Sequence, residues 1–397
     1  MKNTLSDLNN KLNALSVFRS ILETPVVSSL QKLLYAIENG SLESQLRCYG
    51  AFSSALYREG GNLSHFISEF IREDENFFMI KTTENAIISR TISNCLDEEL
   101  TVLQELSDLK TPQLIDLIDY KNYLPHWDNS QVDLKTEYHE MLDAIPTKGY
   151  GIFARYHAFK IVDSNLVPVK NADPQSIGSL YGYERERNLV LENTRALAEG
   201  KGASNVLLYG DAGTGKSSTI KACANYFQDM GVRLIEFDKS QLADIPVIID
   251  TLYDSPLKFI FFIDDLSFSA GDDSFCFLKG ILEGNVTGNS KNIAIYATSN
   301  RRHLVRETGE ERQGTDIHLN DTLQQTMSLS ARFGLTVTFS KPEKDLYLEI
   351  VERLAGEYDV QMDQDELFHR AEAFAIRHNG RSPRTAKQFI QLLNIGL

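Results

Sequence analysis

A chain of 397 residues, 42 % apolar and 24 % charged, is globular and long enough for two or three domains, which excludes a disordered tail or a single small fold. Its formal net charge is −15, with 13 basic against 22 acidic residues in 1–150 and 27 against 33 in 151–397. Broad non-specific nucleic-acid binding needs phosphate-neutralising cations, so the acidic first half argues against it while leaving room for a local basic patch.

The opening MKNTLSDLNNKLNAL has no continuous apolar stretch of the secretory type, and the run 259–263 is far short of a membrane span. A cytoplasmic protein without membrane association is the expectation. The cysteines 48, 95, 223 and 276 are far apart and form no C-x-x-C pair, so neither a metal knuckle nor a disulfide framework is predicted, and all four thiols are expected buried or half-buried.

In chain order, residues 5–40 place apolar side chains at helical spacing (Leu12, Leu15, Phe18, Ile21, Leu22), and the texture recurs at 100–109 and 114–118, with Thr111-Pro112 as a helix start. Residues 1–150 therefore read as a mostly helical domain with a possible partner-binding role. Its histidines (65, 126, 139) are isolated, and Trp127 beside Pro125 fits packing or an interaction spot. The turn-rich stretch 145–151 marks a boundary. Short strands follow at 156–162 and 165–169 around an Asp163-Ser164 turn. Apolar runs at 206–209, 234–237, 259–263, 293–297 and 335–339 then alternate with helical stretches at 216–230, 240–253 and 274–282, the pattern of a parallel sheet covered on both faces. After Lys341-Pro342 the chain is all helical, through 346–354, 366–376 and 384–393. The polar stretch 307–327 reads as a surface loop.

The most specific motif is Gly210-Asp211-Ala212-Gly213-Thr214-Gly215-Lys216-Ser217, a complete G-x-x-x-x-G-K-[ST] between an apolar strand and a helix. Glycines let backbone N–H groups curl toward phosphate oxygens, and the helix start adds its positive dipole end. Lys216 supplies a charge for terminal phosphates, Ser217 a hydroxyl for Mg²⁺, and Ser218 completes the phosphate-binding set. The strand 259–263 ends in Asp264-Asp265, where Asp264 is expected to hold the metal's water shell and Asp265 to orient or deprotonate water. A plain strand-ending turn is the other reading of the pair. The strand from Ile293 ends in Thr298-Ser299-Asn300. If it lies between the other two, Asn300 reaches the same place.

With these residues in view, 165–397 resembles the AAA-type ATPases, and among them a bacterial family of ATP-binding proteins with no assigned biological role. The resemblance rests on Leu180-Tyr181-Gly182-Tyr183, Asn193-Thr194, the glycine loop, 263–268, YATSNRRH (296–303), SLSARFGL (328–335), GRSPR (380–384) and 386–390. It implies an α/β fold: an AAA-type P-loop parallel sheet with helices on both faces at 151–340, a C-terminal helical lid at 341–397, and the helical N-terminal domain. It further implies ATP and Mg²⁺ as ligands, Tyr181 and Gly182 near adenine, and Asn300 as a polar sensor. It casts Arg332 as an arginine finger reaching a neighbouring subunit of a homo-oligomer, and Arg384, ahead of Arg381, as the lid sensor. Ser382-Pro383 is a good helix start, which puts Arg384 in a first turn where a cation needs a facing anion. One departure is Asp265 where many AAA-type enzymes carry Glu, which points to slow turnover, although the resemblance extends to replication initiators and helicase loaders that use two aspartates, so inactivity does not follow.

The function expected is Mg-dependent ATP hydrolysis that remodels or loads an unidentified protein or nucleic-acid client. The alternatives are a nucleotide-gated scaffold with little turnover, motivated by Asp265, a nucleic-acid loader or remodeller, with the paired aspartates and Arg301-Arg302 in its favour and the overall acidity against it, and more weakly a small-molecule kinase.

Overall fold

The computed structural model describes residues 2–83, 86–268, 273–283, 291–300, 331–378 and 380–396. Arg301, Arg302, His303, the stretch 307–327 and the front of SLSARFGL lie outside the described residues. Two compact units divide the chain, Met1–Arg155 and Tyr156–Leu397.

The first unit is helical, built on Lys2–Asn13, Pro25–Asn39, Leu42–Arg58, Leu63–Glu73, Arg90–Ser107, Leu134–Lys148 and shorter helices. Polar caps at Thr24, Ser41, Asn62, Ser89 and Asp133 accept from first-turn N–H groups and set five of the helix starts. Trp127 is packing: it is buried edge-on against Phe52 at 5.2 Å, and its indole N–H donates to Leu109 O. His65, His126 and His139 are exposed. The stretch 145–151 is helical at its start rather than all turn, since the last long helix continues through Pro146 to Lys148 and stops at Gly149, φ +73°. A proline near a helix end sacrifices one bond only. Buried Glu99 accepts from the backbone N–H groups of Ser16, Val17 and Phe18 at 2.7, 2.9 and 3.0 Å, closing the turn after the first helix.

The second unit is built on seven strands: β1 Ala158–Val162, β2 Asn165–Pro168, β3 Val206–Gly210, β4 Val232–Phe237, β5 Lys258–Ile263, β6 Ile293–Ser299 and β7 Leu335–Phe339. Their order is β2-β1-β4-β5-β6-β3-β7, parallel except for the β1–β2 hairpin. Asp163 and Ser164 both take positive φ in that hairpin, as a two-residue primed turn requires. On one face Val206, Leu208, Ile260, Phe262 and Tyr296 pack with Val190 and Leu197 of the helix Glu184–Ala198 and Ile220 and Cys223 of the helix Lys216–Tyr226. Phe259, Phe261 and Ile263 alternate to the other face and are equally buried. Burial on both faces explains why these strands read as unbroken apolar runs.

Two predicted helices are shorter than expected. The helix after the glycine loop ends at Tyr226 and is followed by a 3₁₀ turn, Gln228–Met230. The 240–253 stretch begins as a 3₁₀ turn, Lys239–Asp244, and becomes α-helical only at Ile245, with Pro246 in the first turn where its missing N–H costs nothing. Cys276 is exposed, against the expectation for all four thiols, while Cys223 is buried and Cys48 and Cys95 are half-buried. Asn193 explains its motif: its amide donates to Ser204 O and to Tyr296 Oη and accepts from Ser204 N, fixing the entry to β3. The helices Lys344–Glu357, Gln364–Arg377 and Pro383–Asn394 share a core of their own, including Tyr347, Ile350, Ala371 and Phe389.

Replacing Glu99 by Gln leaves three converging N–H groups with one acceptor oxygen and an opposing amide. We expect a loss of about 2 kcal/mol in the first unit, read as a lower midpoint in thermal unfolding of the full chain. An unchanged midpoint would remove Glu99 from its role as the turn's anchor.

Candidate functional site

β3 delivers the glycine loop to the carboxyl edge of the sheet. Gly210 has φ +138°, and a Cβ there would lie 2.1 Å from Phe339 O, so only glycine fits against β7. Asp211 N–H donates to Phe339 O at 3.0 Å and the Asp211 carboxylate accepts from Lys341 N–H at 2.8 Å, tying the loop to the end of β7. Gly215, φ +94°, caps the helix Lys216–Tyr226 and brings no capping side chain of its own. Lys216 is buried, and its ammonium donates to the carbonyls of Gly210 at 2.9 Å and Asp211 at 2.7 Å and to Asn300 Oδ1 at 3.0 Å. Burial holds its pKa below the ordinary lysine value. The carboxylates of Asp211, Asp264 and Asp265 oppose that shift, and Arg384 adds to it.

β6 lies between β5 and β3, the condition on which Asn300 could reach the loop. Asp264 Oδ1 accepts from Ser217 Oγ at 2.6 Å and from Thr298 Oγ1 at 2.5 Å. Asn300 Nδ2 donates to Asp265 Oδ1 at 2.7 Å, so Asn300 links Asp265 to Lys216. Residues distant in sequence are thus joined in one hydrogen-bonded ring at the end of three adjacent strands. Thr298 was not singled out from sequence; alternation places it on the same strand face as Asn300, a signal that was available.

Beside the loop lies a cavity of about 210 Å³. Leu180, Tyr181, Tyr183, Ile350 and Leu354 give its lining an apolar part, and Gly213, Thr214, Gly215 and Ser218 of the loop line it too. Tyr181 lines the cavity. Gly182 does not: it is buried at φ +74°, and a Cβ there would meet Ile350 Cδ1 at 2.8 Å. Arg384 and Lys387 reach the cavity from the helix Pro383–Asn394, whose Ser382 side chain accepts from Thr385 N–H, and Arg384 N–H donates to Gly213 O at 3.1 Å. Arg381 is held away by Glu372 in a two-point ion pair at 2.8 and 2.7 Å. Tyr183 and Lys387 lie in segments that carry the resemblance, and Ile350 and Leu354 in a predicted helix, but none is assigned to a site from sequence because their convergence depends on the C-terminal helices packing beside the loop.

Arg332 is remote from this ring within its own chain. It precedes β7, whose far end, Phe339, pairs with Gly210, so about 13 Å of strand separates the two edges. Its Nε donates to Glu283 Oε1 at 2.8 Å.

The adjacent hydroxyl of Ser217 and carboxylate of Asp264 are hard oxygen donors of the kind Mg²⁺ takes, together with water and phosphate. Among the described residues no group of three or more His, Cys, Asp or Glu converges to hold a metal, so a cage of protein ligands is absent there and the oxygen pair fits a hydrated ion.

No curated protein matches the chain. Solved structures similar to it include the Thermotoga maritima RuvB Holliday junction branch migration motor, at 17 % identity and TM-score 0.37, covering 56 % of this chain and 65 % of that one. Caenorhabditis elegans PCH-2 is similar at 15 % identity and TM-score 0.38, with 56 % and 66 % covered. The replication initiator DnaA bound to AMPPCP and single-stranded DNA is similar at 16 % identity and TM-score 0.39, with 57 % and 66 % covered. The chain thus spans slightly less than two-thirds of the length of each. A family model described as "Protein of unknown function (DUF815)" matches residues 153–396, more than half of the sequence, and the chain belongs to that family.

Proposed function

We propose that this chain is an AAA-type ATPase that binds MgATP and converts it with water to ADP and phosphate. The observation that carries the reading is the meeting of Ser217 with Asp264, which joins a complete phosphate-loop motif to a strand-end carboxylate pair. A hydroxyl and a carboxylate side by side near a buried ammonium suit a metal-bound polyphosphate. Residues Gly210 to Ser218 cradle the phosphates, and Lys216 turns its ammonium from backbone carbonyls to the β- and γ-phosphates. Ser217 and Asp264 hold the magnesium ion, which when bound spreads the charge of the triphosphate. Asp265 and Asn300 place the attacking water. Its oxygen bonds to the γ-phosphorus as the bridge to the β-phosphate breaks, and its proton passes to Asp265.

In this reading the apolar lining at Tyr181 takes the adenine, with Gly182 shaping the turn behind it, and Arg384 meets phosphate from a C-terminal lid at 341–397. The nucleotide-binding domain spans 151–340, and the helical domain at 1–150 carries the client surface of a cytoplasmic protein. The position of Arg332 at the far edge of the sheet suits service to a neighbouring subunit's site in a homo-oligomer, with Glu283 as its resting partner.

Purified chain is expected to bind ATP more tightly with Mg²⁺ than in EDTA, and Lys216→Ala should weaken that binding at least about tenfold. Asp265→Asn should keep affinity within about threefold and slow single-turnover hydrolysis about a hundredfold. If wild type binds but releases no more phosphate than Lys216→Ala, the nucleotide-gated switch replaces the ATPase. Stimulation by DNA or RNA at low salt would identify the client as nucleic acid, and a flat response would exclude that class.

Arg332→Ala should lower turnover of the assembled protein at least about a hundredfold without changing ATP affinity, and mixing it with Lys216→Ala should restore part of the rate. A mixture no faster than its components would refute the in-trans role.

A further inference from the structure

We propose that Thr298 is a positioning residue for hydrolysis, its buried hydroxyl setting the geometry of the Asp264-Asp265 pair; this rests on the ATPase reading above. Thr298 lies near the end of β6, 2 % exposed, one strand away from the carboxylates. Its hydroxyl makes two bonds at once: Oγ1 donates to Asp264 Oδ1 at 2.5 Å and accepts from Asp265 N–H at 2.9 Å. The Thr298 carbonyl accepts from Leu266 N–H at 2.7 Å. Side chain and backbone of one residue therefore hold the chain at Asp264, Asp265 and Leu266 in succession.

Between those anchors Asp265 adopts φ +50°, a left-handed conformation that few non-glycine residues take. Strained backbone of this kind persists only where its surroundings over-determine it. The turn also aims the Asp265 carboxylate at Asn300, the other residue assigned to the attacking water. Removing the hydroxyl frees Asp264 Oδ1 to rotate away from Ser217 and leaves Asp265 N–H with only Asp264 Oδ1, at 3.2 Å, to accept it. Thr298 touches neither phosphate nor water in this scheme. It acts through the two aspartates.

Serine and alanine at 298 lose the same methyl group and differ only by the hydroxyl, so they separate positioning from packing; valine keeps the shape and loses the oxygen. Each variant is compared with wild type in ATP affinity in EDTA, the tightening of that affinity by Mg²⁺, and single-turnover rate. For Thr298→Val and Thr298→Ala we expect affinity in EDTA within about twofold of wild type, Mg²⁺ tightening reduced at least about fivefold, and rate reduced at least about tenfold. Thr298→Ser should stay within about threefold of wild type in all three. Equal behaviour of Thr298→Ser and Thr298→Ala would overturn the proposal, as would a Thr298→Val variant with wild-type Mg²⁺ response and rate. A wild type that binds no nucleotide would instead defeat the ATPase reading, and this inference with it.

Discussion

The candidate site depends on one constraint of topology: β6 must lie between β5 and β3. In that order the carboxyl ends of three parallel strands deliver a loop, a carboxylate pair and an amide to one edge. Open α/β sheets collect ligands outside those ends because helix N-termini and strand-end side chains point there together. Exchange β6 for any other strand and Asn300 could not link Lys216 to Asp265, nor Thr298 reach Asp264. The hydrogen-bonded ring therefore depends on the whole sheet more than on the loop alone.

Lys216 is the electrostatic counterpart of that constraint. Burying an ammonium is costly, and here two backbone carbonyls and one amide oxygen offset the cost with neutral dipoles. Burial nonetheless holds its pKa below the ordinary lysine value. An arriving polyphosphate would replace dipoles by full charge, a differential interaction of the kind that can drive a conformational change. The C-terminal helices are already attached to the loop through Arg384 N–H on Gly213 O, and the end of β7 through Lys341 N–H on Asp211. In the proposed ATPase, movement of the loop would be felt directly by those helices.

What could be read from the sequence was what local pattern encodes. Strands buried on both faces announced themselves as apolar runs, the glycine loop by its spacing, and the β1–β2 turn by Asp163-Ser164. Hidden from such reading was whatever depends on partners distant along the chain. Glu99 is an ordinary helical residue until three N–H groups from the turn at Ser16 close on it. The apolar lining of the cavity joins Tyr181 and Tyr183 to Ile350 and Leu354, about 170 residues apart and invisible to periodicity. Arg384 is favoured over Arg381 in sequence by its place in a first turn, and Glu372 supplies the long-range reason by claiming Arg381. The stretch 145–151 reads as turns from its composition, yet its first residues stay helical because Pro146 lies near a helix end, where a missing N–H is tolerated.

The second aspartate is where local and long-range information meet. Read alone, Asp265 in place of glutamate is a lost methylene, and a shorter arm suggests a weaker base. In the folded chain the backbone at that residue is left-handed, a conformation that aspartate and asparagine tolerate better than glutamate because their short polar side chains can bond locally. The turn brings the short carboxylate to 2.7 Å from Asn300. The short carboxylate at 265 thus goes with a left-handed turn, and its reach toward Asn300 is set by backbone geometry as much as by side-chain length.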